Sequence, residues 1–272
     1  MVGFARKQAL WAIMLGGVLA AGPALAAPGD PFGGDDAGCV PSTKLGLICA
    51  KKALATLVKL RASVLKCHLT MAGLAFQTGH SSPGFSNSED NCEDGNPSNS
   101  AKAKFDARMA ALAGIGCDAT LLANANARGA TILADQGTTG SMDALNGTFF
   151  CDATSGDLLD PGGDDAGYIP ATAANYKCSV VVAKAWAKLD KYLYSCHTKA
   201  AAVGFKSGIF DEEACEDTGL KSAHAKYDAY VNRYIAAGIC PPCLVSGAPT
   251  LGTDTVAGAD ADLDEVYICP GP

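Results

Sequence analysis

The 272-residue chain carries 28 acidic against 21 basic side chains, a formal charge of −7, so it offers no electrostatic footprint for nucleic acid and no attraction to anionic lipid. Its twelve cysteines, an even number, read as the disulfide framework of a protein in an oxidising compartment. The length allows one large core or two small ones. The cysteine density points to two, each stapled because a domain of about 100 residues buries a limited core.

In chain order, residues 1–26 come first. Arg6 and Lys7 precede an apolar stretch that ends in Ala24-Leu25-Ala26, the order of a secretory signal peptide cleaved after Ala26. Gly16, Gly17, Gly22 and Pro23 interrupt the apolar run and argue against a membrane anchor. The expected product is secreted or periplasmic, with no membrane span after cleavage. Residues 27–38 end in "GGDDAG" and read as a flexible leader.

A first Cys-rich unit spans 39–151. From Leu47 to Phe76, Leu54, Leu57, Val58, Val64, Leu65, Leu69 and Met71 recur at threes and fours opposite Lys52, Lys59 and Lys66, which predicts an amphipathic helix. "NSAKAKFDARMAALAGIGC" predicts a second helix that stops at Gly114 and Gly116. "DATLLANANARGATILADQ" suits a short third. Residues 152–167 read as a linker that ends in a second "GGDDAG".

The second unit, 168–272, repeats the pattern with helices over Val180–Phe205 and up to Gly238, where Pro241 and Pro242 forbid continuation. Its irregular tail, "PPCLVSGAPTLGTDTVAGADADLDE", is not expected to form a continuous helix. Cys49 and Cys67 stand 18 residues apart, as do Cys178 and Cys196; Cys92 and Cys117 stand 25 apart, as do Cys215 and Cys240. "CED" recurs at Cys92 and Cys215, and "AKFDA" at 103–107 matches "AKYDA" at 225–229. These coincidences in register indicate an internal duplication. The expected fold is all-α: two tandem disulfide-stapled helical hairpins joined by irregular Gly/Pro/Asp-rich segments.

An antiparallel hairpin brings the start of its first helix beside the end of its second. That predicts Cys49–Cys117 and Cys178–Cys240, with Cys67–Cys92 and Cys196–Cys215 at the other end. Pairing the remaining four within their own units gives Cys39–Cys151 and Cys243–Cys269.

The Cys-His dipeptide, at Cys67-His68 and Cys196-His197, is the repeated element with chemical potential. With both cysteines bridged, the imidazole is the free ligand, and Glu93 or Glu216 of the "CED" motifs lies within reach. The preferred reading is a half-buried histidine packed beside a disulfide and bonded to an acid. The alternative is a divalent metal site built from His68, His197, Glu93 and Glu216, which needs more ligands than these to converge. Haem attachment by the usual motif is excluded, because no cysteine stands three residues before Cys67 or Cys196.

"CPPC" at 240–243 suggests a thiol-disulfide oxidoreductase using Cys240 and Cys243. It follows a helix end instead of a strand, so a structural role is favoured. "DADLDE" at 260–265 spaces acids as calcium loops do but lacks their glycine and terminal acid. The two "GGDDAG" motifs could hold a cation in a turn; the favoured reading of all three is a solvated acidic segment. His80 and His224 are not repeated between the units. No nucleophile or phosphate-binding motif is present, so an enzyme is not expected.

"KCHLTMA…F" and "SCHTKAA…F…FDEEACED", followed by "AKYDA" and "AGIC", resemble the Cys-rich helical repeats of uncharacterised exported bacterial proteins. The resemblance covers most of 45–117 and 174–240, and the first unit departs from it at "SNSEDNCEDG". It implies a helical fold and an exported location but no chemistry. The expectation is therefore an exported, non-catalytic structural or binding module without a cofactor, whose partner is an extracellular protein or surface. A metal-binding protein is the alternative.

Overall fold

The structure, a computed structural model, describes residues 27–79 and 89–270. The expected signal peptide, 1–26, and His80 lie outside the described residues. The fold is all-α apart from one small hairpin, β1 (Pro31–Gly33) and β2 (Asp36–Cys39), paired antiparallel with Gly33 opposite Asp36.

Two long helices form the axis of the molecule: α1 (Lys44–Thr78) and, later in the chain, α5 (Ala173–Gly204). Each starts on a threonine six residues before its first cysteine. Thr43 accepts the Gly46 N–H and Thr172 accepts the Asn175 N–H, satisfying donors that an uncapped helix leaves open. Against α1 pack α2 (Ala101–Gly114) and α3 (Ala119–Ile132). The short α4 (Met142–Phe149) reaches both long helices. After α5 come a single turn, α6 (Glu212–Glu216), then α7 (Ala223–Ala236) and α8 (Pro242–Ala261), the last two packed on α5. Ser100 and Ser222 cap α2 and α7 in the same way.

The tail expected to be irregular is the 20-residue α8. Pro242 stands in its first turn, where a missing N–H loses no helical bond. Pro249 lies in its interior, and there the Tyr227 hydroxyl donates to the neighbouring Ala248 carbonyl at 2.8 Å. Small residues also let α8 come close to α7: a Cβ on Gly252 would lie 2.7 Å from the Tyr227 ring, as one on Gly129 of α3 would lie 2.5 Å from the Phe105 ring of α2.

All twelve cysteines are bridged. Cys49–Cys117, Cys67–Cys92, Cys178–Cys240 and Cys196–Cys215 follow from hairpin geometry as expected. The other two differ: Cys39 joins Cys269, and Cys151 joins Cys243. Pairing within a unit fails because the chain closes on itself. The Cys39 N–H donates to the Tyr267 carbonyl at 2.8 Å, which seats the N-terminal hairpin beside the C-terminus. Cys243, in the first turn of α8, meets the chain leaving α4.

The expectation of two small cores gives way to one. Buried apolar side chains of both units form a continuous cluster, including Leu57, Leu60, Val64, Phe105 and Phe149 with Val182, Trp186, Leu189, Leu193 and Tyr227. Six disulfides around such a core fit an oxidising compartment. Among the described residues, no helix is long and apolar enough to cross a membrane.

Candidate metal centres

His68 and His197 project into the interior, each one residue past a bridged cysteine of a long helix. Cys67 is tied to Cys92, and Glu93 follows Cys92, so the staple holds Glu93 Oε1 2.6 Å from His68 Nε2. Glu89 stands four residues earlier in the helical segment that leads into α2, and its Oε1 lies 3.4 Å from the same nitrogen. Two more carboxylates come from distant segments: Asp143 of α4 at 3.3 Å, and Asp165 of "GGDDAG" at 3.2 Å.

The second centre repeats this set. The Cys196–Cys215 bridge places Glu216 Oε1 2.8 Å from His197 Nε2. Glu212 lies at 3.3 Å, Asp260 from the last turn of α8 at 3.3 Å, and Asp36 of β2 at 3.2 Å.

The aspartate of "GGDDAG" crosses over in both cases. Asp165 precedes the second unit in sequence but reaches the histidine of the first. Asp36 precedes the first but reaches the histidine of the second. The glycine that ends each motif makes this possible. Gly38 has φ +91, and a Cβ there would stand 2.6 Å from the Tyr267 carbonyl oxygen. Gly167 has φ +119, and its Cβ would stand 3.0 Å from the Phe150 Cβ. Only a residue without Cβ takes that conformation at that distance. The next residue then anchors the motif, Cys39 N–H donating to Tyr267 and Tyr168 N–H to Phe150, both at 2.8 Å.

These centres are closed. Both imidazoles are fully buried, and the eight carboxylate side chains expose at most 13 % of their surface. His68 Nε2, Glu89 Oε1, Glu93 Oε1 and Asp143 Oδ1 are buried without a hydrogen-bond partner, as are Asp36 Oδ1, Glu212 Oε1 and Glu216 Oε1 at the second centre. Among the described residues, no lysine or arginine pairs with any of the eight.

Such crowding strains ionisation at both centres. Burial pushes Glu93 up to about 9 and Asp165 up to about 8, against the pull of His68. Burial likewise raises Asp143, and it carries Glu216 to about 7 and, with Glu216 beside it, Glu212 to about 11. Glu89, despite its own burial, is held below the usual range by His68. Burial would depress the imidazoles, but the surrounding carboxylates override it: His68 is held well above its ordinary value and His197 at about 12.

One buried acid satisfies a buried histidine, and four do not. A bound cation would resolve the excess. An ion with bonds of about 2.1 Å in octahedral geometry sets neighbouring ligand atoms about 3 Å apart. The eight Nε2–oxygen distances, 2.6–3.4 Å, cluster around that value. The imidazole and the four carboxylates are the residues that would hold such an ion. Within each of the triads His68–Glu93–Asp143, His68–Glu89–Asp165, Asp36–His197–Glu212 and His197–Glu216–Asp260, the ligand atoms lie within 4.8 Å of one another.

Of the residues singled out from sequence, His68 meets Glu93 and His197 meets Glu216. The expected half-buried histidine with a single acid is corrected to a fully buried one facing four. Sequence reasoning passed over Glu89, Glu212 and Asp143, and it favoured a solvated role for the segments that hold Asp260, Asp36 and Asp165. A signal existed for the first two, since Glu-x-x-Cys-Glu stands at 89–93 and at 212–216. The acidic segments read as solvated in fact deliver Asp36, Asp165 and Asp260, while Asp262 pairs with Arg128. Cys240 and Cys243 are bridged to different partners, so they do not form the mutual pair that a dithiol enzyme needs. No protein family, curated protein or solved structure matches this chain.

Proposed function

We propose that the chain is an exported, non-catalytic metal-binding protein that holds one ion at His68 with Glu89, Glu93, Asp143 and Asp165, and a second at His197 with Glu212, Glu216, Asp260 and Asp36. The observation that carries this reading is the convergence, twice over, of four buried carboxylates from three separate segments on one buried Nε2. Four carboxylates and an imidazole, with every cysteine sulfur committed to a bridge, form a hard, oxygen-rich donor set suited to ions that accept carboxylate and imidazole together. The absence of exposed imidazole surface favours holding an ion over turning over a substrate on it.

The test is elemental analysis of the purified, disulfide-intact protein after exposure to a panel of metal ions. Two equivalents should be retained, one lost in each of His68→Gln and His197→Gln and both in the double variant. A wild-type protein that retains no metal and gains no thermal stability from any ion in the panel contradicts the reading.

A further inference from the structure

We infer that the two centres select a trivalent first-row ion, ferric iron being the type case, over divalent ions. This inference rests on the metal-binding reading and specifies the charge of the ion.

The argument is one of charge in a closed space. Each centre brings four carboxylates and one imidazole, and no lysine or arginine among the described residues pairs with any of them. Carboxylate-rich calcium loops tolerate excess negative charge because they lie in solvent-exposed loops and keep bound water. Here Glu93, Asp143 and Asp165 expose 7 %, 5 % and 2 % of their side chains, and Glu216 exposes 2 %. A divalent ion with four ionised carboxylates leaves two negative charges buried, and a trivalent ion leaves one. Uncompensated charge away from water is the dominant penalty in such a place.

Ligand number narrows the choice. The 2.6–3.4 Å spacing around each Nε2 corresponds to octahedral bonds of about 1.8–2.4 Å, which spans both small and large ions. Calcium takes six to eight oxygens, whereas each centre offers four carboxylates and a nitrogen. Magnesium fits the size but keeps several waters, which a closed nest of five protein ligands excludes. The donors that remain favourable are hard oxygens and one imidazole, which a small trivalent ion accepts.

The experiment is competition on the full mature protein. Fe³⁺ and Ga³⁺, the latter redox-inert, are supplied as nitrilotriacetate chelates against Mn²⁺, Zn²⁺, Ca²⁺ and Mg²⁺, and bound metal is counted after desalting. Wild type should retain two trivalent ions and prefer them over every divalent ion by about 100-fold or more after correction for the chelator. Asp36→Asn and Asp165→Asn together remove one charge from each centre while keeping an oxygen ligand. They should shift the preference toward divalent ions by at least about 10-fold. Divalent ions bound as tightly as Ga³⁺ by wild type would overturn the inference while leaving metal binding intact. Failure to bind ions of either charge would overturn both.

Discussion

Arg61 and Asp190 hold the same place in their units, six residues before Cys67 and Cys196. They meet at the contact of α1 with α5, Nη1 to Oδ1 at 2.7 Å, and the same Nη1 donates to the Tyr194 hydroxyl at 2.7 Å. Removing one member of a buried pair strands the other. Arg61→Met should therefore lose about 3–5 kcal/mol in urea unfolding, and adding Asp190→Leu should recover most of it.

The acids of the two proposed metal centres make a second prediction at this scale. Glu93, Asp165 and Glu216 have folded pKa values of about 9, 8 and 7, all above the free carboxylate range. A raised folded pKa means tighter proton binding when folded, so the contribution is full below the unfolded pKa and disappears as pH rises through the folded one. The imidazoles, also raised, act in the same direction, and together they outweigh Glu89. Thermal melts of metal-free protein should fall steadily from about pH 4.5 to about pH 9. Bound metal should restore stability most at the alkaline end, where protons compete least. A metal-free melt that rises over this window would contradict the assignment. Of these residues, sequence exposed only those beside a cysteine. The rule that a disulfide partner's neighbour comes close is local, whereas the reach of Asp143 or Asp165 is set by tertiary packing.

At the scale of elements, the hairpin β1–β2 does the least expected work. Residues 27–38 have the composition of a tether, and nothing in that composition tells that Gly38 lies against the Tyr267 backbone. Gly38→Ala forces a Cβ into 2.6 Å of that carbonyl at positive φ. It should lower stability by about 1–3 kcal/mol and weaken retention at the His197 centre while the His68 centre stays loaded, read as metal per chain. Cys39→Ser with Cys269→Ser should act on the same centre through loss of the bridge, at about 2–4 kcal/mol. The long amphipathic helices were legible because their apolar spacing repeats over many turns. Helix α8 was not: Pro and Gly argue locally against it, and packing on α5 and α7 decides otherwise.

For the whole molecule, the crossing of the "GGDDAG" aspartates means that each centre draws one ligand from the segment that opens the opposite unit. The units also share one buried cluster. The matched cysteine spacing was legible in the sequence, but the closure of the chain was not, because register within a unit carries no information about contacts between units. The two bridges that differ from expectation, Cys39–Cys269 and Cys151–Cys243, are the ones that fasten the units together. Unfolding of the metal-free protein should be a single transition by circular dichroism and by tryptophan fluorescence, since Trp186 of the second unit packs on Phe149 of the first.

The central claim is tested most directly by anomalous diffraction at the absorption edge of a bound metal, in crystals of the disulfide-intact protein grown with that metal. Two peaks are predicted, one within about 2.1–2.3 Å of His68 Nε2 and the other at the same distance from His197 Nε2, each ringed by its four carboxylate oxygens. Peaks lying elsewhere, or both nests closed by carboxylate–imidazole contacts with metal in excess, would contradict it.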